Sequence, residues 1–236
     1  MTEIRHSHLV FMPGLDGTGF SFEPLLPYLP PDTAMTVVRY PVNEPLSFAE
    51  TAECAALQFP TDIEPVIIAE SFSGPIALQL IASRRIEAKA LILCATFAKI
   101  PRPVVMRIFR LLPLASLMRK PVPHGFLQFI FGKTKITEEI IHLWHKAHNK
   151  VSPEVLQQRF KILCKIDVTA ELQKVSIPCL YIQPTNDRLI PATSLRLLQK
   201  GIPQLKVPTI DGPHFILQIQ PQACIEAIED FLGVIK

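Results

Sequence analysis

The sequence predicts an α/β protein with a reduced, mostly parallel sheet of about six strands, helices on both faces and a helical insertion. Two observations support this fold class. Short apolar runs alternate with segments in which apolar residues recur every three or four positions, which is typical of a parallel sheet covered by helices. The chain has 236 residues, 48% hydrophobic and 19% charged, so it is long and apolar enough to form one such core.

The predicted elements follow one another in chain order. Strands are predicted where apolar or β-branched runs are bounded by polar residues, glycine or proline. They lie at 8–12, 36–40, from 66 to the stop at Ser71, and at 90–95, 179–183 and 205–210. The spacing of apolar residues predicts helices at 22–29, 48–59, from about 73 to 84, and at 193–200 and 222–231. Ser47 is a suitable N-cap for the second of these helices.

One long segment interrupts the alternation. Residues 98–166 contain no convincing strand, and their pattern predicts helices at 104–119, 126–131, 138–149 and 153–165. Thr137 and Ser152 are suitable N-caps for the last two helices. We therefore expect residues 98–166 to form a helical cap, and residues 1–97 and 167–236 to form the α/β core.

Charge is distributed unevenly between these two parts. The net charge is only +3, but residues 99–166 contain 13 Lys or Arg and three acids, a formal charge of +10, which leaves −7 for the remainder. This basic segment is interpreted in three ways: as a solvated face, as a docking surface for an acidic partner such as acyl carrier protein, or as an anionic-membrane contact. Binding to nucleic acid is not expected, because the body is acidic and no recognised binding motif occurs.

The sequence also indicates a cellular location and bears on metals and cofactors. No uninterrupted apolar run reaches the roughly 18 residues that would span a bilayer, and residues 1–8 do not resemble a secretory leader. The five cysteines are odd in number and scattered, as expected for thiols in a reducing compartment. The sequence therefore predicts a cytoplasmic protein. His142, His145 and His148 are spaced by three rather than four, which favours a solvated helix face, so neither a metal nor a cofactor is expected.

The main chemical motif is a strand, a sharp turn and a helix around Ser71. An apolar run begins at Val66, stops at Ser71, and is followed by residues with helical spacing. A serine at the tip of such a turn adopts a strained backbone conformation, so the residues two before and two after it must be small. Here these residues are Ala69 and Ser73, where glycine is usual, and Gly74 follows. The pattern predicts a nucleophile elbow.

A base and an orienting acid follow later in the chain. Asp187 comes after the strand predicted at 179–183, and His214 comes after the last predicted strand. Since the carboxyl ends of parallel strands lie at one edge of a sheet, Ser71, Asp187 and His214 are expected to converge there. Asp211 lies close to His214 and Glu70 lies beside the serine; we interpret the first as a turn residue and the second as a polar neighbour.

These motifs give the chain a resemblance to the α/β-hydrolases over nearly its full length. The matching phrases are 13–17 (PGLDG), 70–74 (ESFSG), 186–191 (NDRLIP) and 212–215 (GPHF). The order Ser, Asp, His is also that of the family. The departures are Ala69 and Ser73 at glycine positions and the absence of the family's first two strands. Within the family, the four-helix cap is similar to that of the pimeloyl-carrier-protein methyl esterases.

The resemblance implies the roles of further residues. The backbone N–H groups of Leu15 and Phe72 would form the oxyanion hole that stabilises a tetrahedral intermediate. Aromatic residues of the cap and of the sheet edge form either cap core or an acyl pocket. The candidates for this pocket are Phe97, Phe126, Phe129, Trp144 and Phe215.

The sequence thus predicts a serine esterase that cleaves small carboxylic esters of apolar acyl groups, with Ser71 as nucleophile, His214 as general base and Asp187 as its orienting acid. Two alternatives remain open. One is an esterase or thioesterase that acts on acyl chains bound to acyl carrier protein, which the basic cap suggests. The other is a non-catalytic ligand-binding module built on a hydrolase scaffold.

Overall fold

A six-stranded parallel sheet forms the centre of the computed structural model, which describes residues 3–100 and 137–235. The strands are β1 (Leu9–Met12), β2 (Met35–Val37), β3 (Val66–Glu70), β4 (Ala90–Cys94), β5 (Cys179–Pro184) and β6 (Thr209–Ile210). Their order across the sheet is β2-β1-β3-β4-β5-β6, and every neighbouring pair is parallel. The predicted α/β class and strand count are confirmed.

Helices connect the strands. The α-helices within residues 3–100 and 137–235 are α1 (Phe48–Ala56), α2 (Ser73–Ala82), α3 (Glu138–Lys150), α4 (Pro153–Leu163), α5 (Ala192–Gly201), α6 (Ile216–Ile219) and α7 (Pro221–Val234). Further 3₁₀ segments lie at Ile4–His6, Phe20–Tyr28 and Thr169–Lys174. In the described residues, no helix is both long and apolar enough to cross a bilayer.

The central strands are buried on both faces, which explains their nearly continuous apolar sequences. Alternate side chains face opposite layers of core. Ile67 and Leu91 pack in the layer that contains α1, α2 and α5, whereas Ile68 and Ile92 pack in the layer that contains α6 and α7. The register pairs Ile68 with Ile92 and Glu70 with Cys94, so neighbouring strands end at the same edge of the sheet.

Local sequence accounts for most differences from the predicted bounds. The helix predicted at 22–29 is a 3₁₀ segment, since Pro24 and Pro27 inside it lack the N–H that an α-helix needs. The strand predicted at 205–210 shrinks to Thr209–Ile210, with only an isolated bridge between Lys206 and Leu180 before it, because Pro208 has no N–H to donate.

Two of the helices predicted between residues 98 and 166 are confirmed. Thr137 and Ser152 cap α3 and α4 as expected: each side chain accepts a hydrogen bond from the backbone N–H three residues later. The helices predicted at 104–119 and 126–131 lie outside the described residues. The division into a cap at 98–166 and a core at 1–97 and 167–236 stays a prediction.

Candidate active site

Ser71 lies at the tip of the turn between β3 and α2. Its φ of 49° is in the left-handed region that non-glycine residues rarely adopt, and this strain is typical of a functional turn. Hydrogen bonds to neighbouring elements hold the strained residue. Its N–H donates to the Cys94 carbonyl at 2.9 Å, and its own carbonyl accepts from the Thr96 hydroxyl.

The sheet edge brings Ser71, His214 and Asp187 together. His214 Nε2 lies 3.0 Å from Ser71 Oγ, and His214 Nδ1 lies 2.8 Å from Asp187 Oδ2. The side chains of His214 and Asp187 are only 4% and 7% exposed, so the pair is shielded from water. A continuous hydrogen-bonded chain therefore links the carboxylate, the imidazole and the hydroxyl.

The second oxygen of Asp187 is also fixed. Oδ1 accepts hydrogen bonds from the N–H groups of Leu189 and Ile190, both at 2.8 Å, so the carboxylate cannot rotate away from His214 without losing them. Asp211 has a different role: Oδ1 accepts from the Thr185 hydroxyl at 2.6 Å, in an exposed turn. The described structure thus places Asp187, and not Asp211, against the imidazole.

The electrostatic surroundings of His214 favour its protonated form. Burial alone would lower the pKa of the imidazole, but the negative charge and hydrogen bond of Asp187, together with the charge of Glu70, outweigh burial and raise it. A raised pKa suits a base that must hold a proton during a reaction and then release it.

The two small residues after Ser71 have different functions. A Cβ on Gly74 would collide with the Thr96 side chain, so glycine is required there for the helix to approach β4. Ser73, which replaces the usual glycine of the motif, is fully buried and donates a hydrogen bond to the Pro13 carbonyl. The Tyr40 hydroxyl lies 2.6 Å from the Ser73 hydroxyl. The departure at Ser73 therefore ties the elbow to the loop after β1.

That loop, residues 13–17, carries Leu15. Within residues 3–100 and 137–235, neither the Leu15 N–H nor the Phe72 N–H donates to a protein acceptor. Phe72 is the N-cap residue of α2, so its N–H lies at the positive end of a ten-residue helix. Backbone N–H groups that have no protein acceptor are suited to binding an oxyanion.

Glu70, the last residue of β3 and the neighbour of Ser71 in the chain, is buried. Its carboxylate accepts hydrogen bonds from the Gln218 amide at 2.8 Å and the Ser21 hydroxyl at 3.1 Å. Burial raises its pKa, although the two donors and the nearby His214 oppose that rise. Sequence reasoning interpreted Glu70 only as a polar neighbour, because both donors come from distant segments that no local pattern indicates.

The predicted pocket residues fall in several places. Phe97 is buried in the core layer with α1 and α2. Trp144 is half-buried on α3, and its ring stacks on that of His148 with centroids 5.2 Å apart. Phe215 packs edge-on against the His214 ring at 5.4 Å. Phe126 and Phe129 lie outside the described residues. In the described ranges, no group of three or more His, Cys, Asp or Glu is arranged to hold a metal ion.

Sequence reasoning missed two further residues near the loop at 13–17. Arg159, on α4, donates hydrogen bonds to backbone carbonyls of this loop, and Tyr40 contacts Ser73. Neither residue belongs to a recognisable motif. Their positions follow from contacts between segments that are far apart in the chain.

Solved structures with the same fold cover almost the whole chain. MenH from S. aureus has a TM-score of 0.82 at 16% identity, covering 97% of this chain and 94% of that protein. A bromoperoxidase from Bacillus anthracis has a TM-score of 0.78 at 18% identity, with 96% and 92% covered. An esterase from Exiguobacterium antarcticum has a TM-score of 0.76 at 13% identity, with the same coverage.

No family model matches the chain. Among curated proteins, the pimeloyl-[acyl-carrier protein] methyl ester esterase of Aeromonas hydrophila subsp. hydrophila is 28% identical over 105 residues. The matched part covers 43% of this chain and 41% of that esterase. The six-stranded parallel sheet and the solved structures that match it nearly end to end show that this chain has the α/β-hydrolase fold.

Proposed function

We propose that the chain is a serine hydrolase that cleaves carboxylic esters of apolar acyl groups. The observation that carries this proposal is the hydrogen-bonded chain from Asp187 through His214 to Ser71. A serine hydroxyl is a weak nucleophile at neutral pH, and it becomes effective when an oriented base lies within hydrogen-bond distance.

The first half of the reaction forms an acyl-enzyme. Ser71 Oγ attacks the acyl carbon while His214 Nε2 takes the hydroxyl proton, and Asp187 stabilises the resulting imidazolium. The negative oxygen of the tetrahedral intermediate accepts hydrogen bonds from the N–H groups of Leu15 and Phe72, each worth on the order of 3 kcal/mol in the transition state. The intermediate collapses when His214 gives its proton to the departing alkoxide.

The second half hydrolyses the acyl-enzyme. Water attacks the acyl carbon and gives a proton to His214, a second tetrahedral intermediate forms, and it collapses as His214 returns that proton to Ser71 Oγ. The products are a carboxylic acid and an alcohol. No step requires a cofactor.

Labelling tests this proposal and separates it from the ligand-binding alternative. A fluorophosphonate reacts with an activated serine, so we expect one adduct on the peptide that contains Ser71, together with turnover across a chain-length series of p-nitrophenyl esters. A chain that binds these esters without hydrolysing any of them, and that forms no adduct, would instead be a binding module.

A second candidate function is hydrolysis of acyl esters or thioesters bound to acyl carrier protein. Two observations favour it: the partial match to the Aeromonas esterase, and the +10 formal charge of residues 99–166. Clustered positive charge steers and holds an acidic partner. The acidic remainder of the chain offers no such attraction.

Charge removal tests this candidate. We expect a variant with four basic residues replaced by Gln in the basic segment, Arg107, Arg110, Arg119 and Lys120, to keep its turnover of p-nitrophenyl esters. These four residues lie outside the described ranges and are chosen from the charge count alone. The same variant should lose kcat/KM for a methyl ester of acyl carrier protein, and added salt should weaken the parent similarly, because exposed charges are screened beyond about 10 Å near 0.1 M salt.

The matched control removes four exposed basic residues outside that segment: Arg5, Arg196, Lys200 and Lys206. This control lowers the net charge by the same amount. Its kcat/KM for the methyl ester of acyl carrier protein should equal that of the parent. Equal losses in both variants would indicate a general charge effect. Binding of the parent to anionic liposomes that is lost with salt would indicate a membrane contact instead.

A cytoplasmic location is part of the proposal and is supported by the cysteines. All five are free thiols, and three of them are buried. Burial raises the pKa of Cys179 and of Cys224 to about 12, so these thiols stay protonated and unreactive. Such cysteines are usual in a reducing compartment.

A further inference from the structure

The guanidinium of Arg159 is buried against the loop at 13–17. The residue is 4% exposed, although it lies on α4, in the segment that the sequence predicts to be a cap. Its Nη1 donates to the carbonyls of Leu15 at 2.9 Å and Asp16 at 2.6 Å, and its Nη2 donates to the Pro41 carbonyl at 2.9 Å. Three backbone carbonyls from two loops therefore converge on one side chain.

The loop is shaped to admit this side chain. A Cβ on Gly17 would lie 2.6 Å from Arg159 Nη1, so only glycine lets the guanidinium reach its acceptors. Gly17 also has a φ of +69°, which favours glycine on its own account. The Tyr40 ring lies 5.6 Å from the guanidinium carbon, within the range of a cation–π contact.

Burying a guanidinium costs hydration free energy, and the groups that offset this cost indicate which part of the structure Arg159 stabilises. Burial lowers the pKa of Arg159, and the negative charge of Asp16 opposes that change. An arginine stays charged in a protein, so the desolvated cation must recover its lost hydration from the carbonyls that it binds. Two of these three carbonyls belong to Leu15 and Asp16, directly after the N–H that we assign to the oxyanion hole.

Other bonds fix the remaining peptide planes of the loop. The Gly14 carbonyl accepts from the Gly17 N–H at 3.1 Å, and the Gly17 carbonyl accepts from the Tyr40 N–H at 2.9 Å. In a trans peptide the N–H points away from the carbonyl, so the bond to the Gly14 carbonyl sets the direction of the Leu15 N–H. Arg159 holds the next two carbonyls, and together these bonds leave little rotational freedom on either side of Leu15.

We propose that Arg159 is a positioning residue for the oxyanion hole: by binding the carbonyls of Leu15 and Asp16 it fixes the two peptide planes that follow Leu15. The second of these planes carries the Gly17 N–H, whose bond to the Gly14 carbonyl sets the direction of the Leu15 N–H. This inference rests on the esterase activity proposed above. Arg159 itself does not touch the reacting atoms. Through Arg159, kcat would depend on how α4 packs against the loop at 13–17.

The consequence for catalysis is specific. Removing one oxyanion donor usually costs about 100- to 1,000-fold in kcat, and a donor that is retained but misdirected should cost less. We expect Arg159→Met to lower kcat by about 10- to 100-fold with KM changed less than about threefold, because the donor acts in the transition state rather than in substrate binding. Arg159→Lys keeps the positive charge but lacks the planar guanidinium, so its kcat should lie between that of the parent and that of Arg159→Met.

The experiment separates positioning from stability. The fraction of active enzyme is counted by fluorophosphonate titration, and kcat is expressed per titrated site. Inhibition is then compared for an alkyl trifluoromethyl ketone, which forms a tetrahedral adduct with a serine, and for the matching carboxylic acid product. We expect both Arg159 variants to lose affinity for the ketone by about the same factor as kcat, and to keep their affinity for the acid.

The matched control is Arg85→Met, which removes an exposed arginine paired with Glu53 at 2.6 Å. An exposed pair contributes little, so kcat and ketone affinity should match those of the parent. If circular dichroism shows that Arg159→Met does not fold, Arg159→Lys carries the test. Folded variants with unchanged kcat per titrated site and unchanged ketone affinity overturn the role of Arg159, even where their melting temperature falls.

Failure of the proposed function gives a different result. A parent that neither hydrolyses esters nor reacts with the fluorophosphonate overturns the esterase proposal, and the role of Arg159 with it. A parent that does both, beside Arg159 variants that equal it, overturns the positioning role alone.

Discussion

The three residues of the proposed triad and the loop at 13–17 lie side by side, but they are held in different ways. Ser71, Asp187 and His214 each follow the end of a strand, and the bonds that fix Asp187 come from residues two and three positions later. Besides two backbone hydrogen bonds, the loop is held by single side chains from distant elements: Ser73, 60 residues from the Pro13 carbonyl, and Arg159, 144 residues from the Leu15 carbonyl.

This difference indicates how each part of the site should respond to change. The parallel sheet positions the three residues of the proposed triad, and many backbone hydrogen bonds stabilise that sheet. The loop depends on a few side chains, so one substitution can loosen it while the triad keeps its distances. Substitutions in these two parts should therefore differ in the size of their effect on kcat.

Loss of the nucleophile should have the largest effect. Ser71→Ala removes one hydroxyl at the turn, so we expect a folded protein whose kcat for p-nitrophenyl esters falls by more than about a thousandfold. Ser83→Ala, which removes a hydroxyl that donates to the Leu80 carbonyl at 3.2 Å, is the control and should keep full activity. Appreciable hydrolysis by Ser71→Ala would show that another group is the nucleophile.

The choice of acid gives the second largest effect. Asp187→Asn should lower kcat by about 1,000- to 10,000-fold, because the amide favours the wrong imidazole tautomer and cannot stabilise the imidazolium. Asp211→Asn should cost less than about tenfold, since Asp211 only supports an exposed turn. Both are measured as kcat/KM with the same ester. The opposite ranking would mean that the acid lies outside the chain of bonds described above.

The Ser73 tether tests the loop independently of Arg159. Ser73→Ala leaves the buried Pro13 carbonyl and the Tyr40 hydroxyl without this partner, at a cost of about 1–3 kcal/mol in the free energy of unfolding. We expect kcat to fall by about tenfold with KM nearly unchanged, because a loosened loop misdirects the Leu15 N–H.

Tyr40→Phe is the matched control for Ser73→Ala, because it removes the hydroxyl that contacts Ser73. This variant keeps the Ser73 bond to Pro13 and should retain most of its kcat while losing some stability. Urea unfolding and steady-state kinetics measure the two effects separately. Equal losses of kcat in both variants would contradict the tether as the cause.

The smallest effect concerns Glu70 and pH. His214 must be neutral to accept a proton, so kcat/KM should rise as pH rises through its raised pKa. The negative charge of Glu70 contributes to that rise in the pKa of His214. Glu70→Gln should therefore move the acid limb of the profile to lower pH and change the plateau little.

Unfolding provides a second readout of Glu70. Because its pKa is raised by burial, the folded state binds more protons than the unfolded state between the ordinary and the raised value, and stability falls as pH rises through this interval. Glu70→Gln should remove that fall in stability.

The control for the activity profile is Glu53→Gln, on the exposed face of α1, which should not move the acid limb of kcat/KM. An unshifted profile in Glu70→Gln would show that Glu70 does not influence His214.

Local sequence determined much of the fold. Apolar runs predicted all six strands, and the caps at Ser47, Thr137 and Ser152 lie where the sequence predicts them, since a cap needs only a side chain and a backbone N–H three residues on. The meeting of Ser71, Asp187 and His214 was also predictable, because parallel strands end at one edge of a sheet and each of these residues follows such an end. Their catalytic roles stay proposals.

Only the tertiary structure decided which side chains hold the loop at 13–17 and surround Ser71. Ser73 was predicted as a mere departure from glycine, Glu70 as a polar neighbour, and Arg159 was not singled out at all. Their partners are backbone carbonyls and side chains 33 to 148 residues away. A backbone carbonyl has no residue identity, and a buried charge is tolerated wherever packing supplies acceptors, so no spacing in the sequence records such contacts.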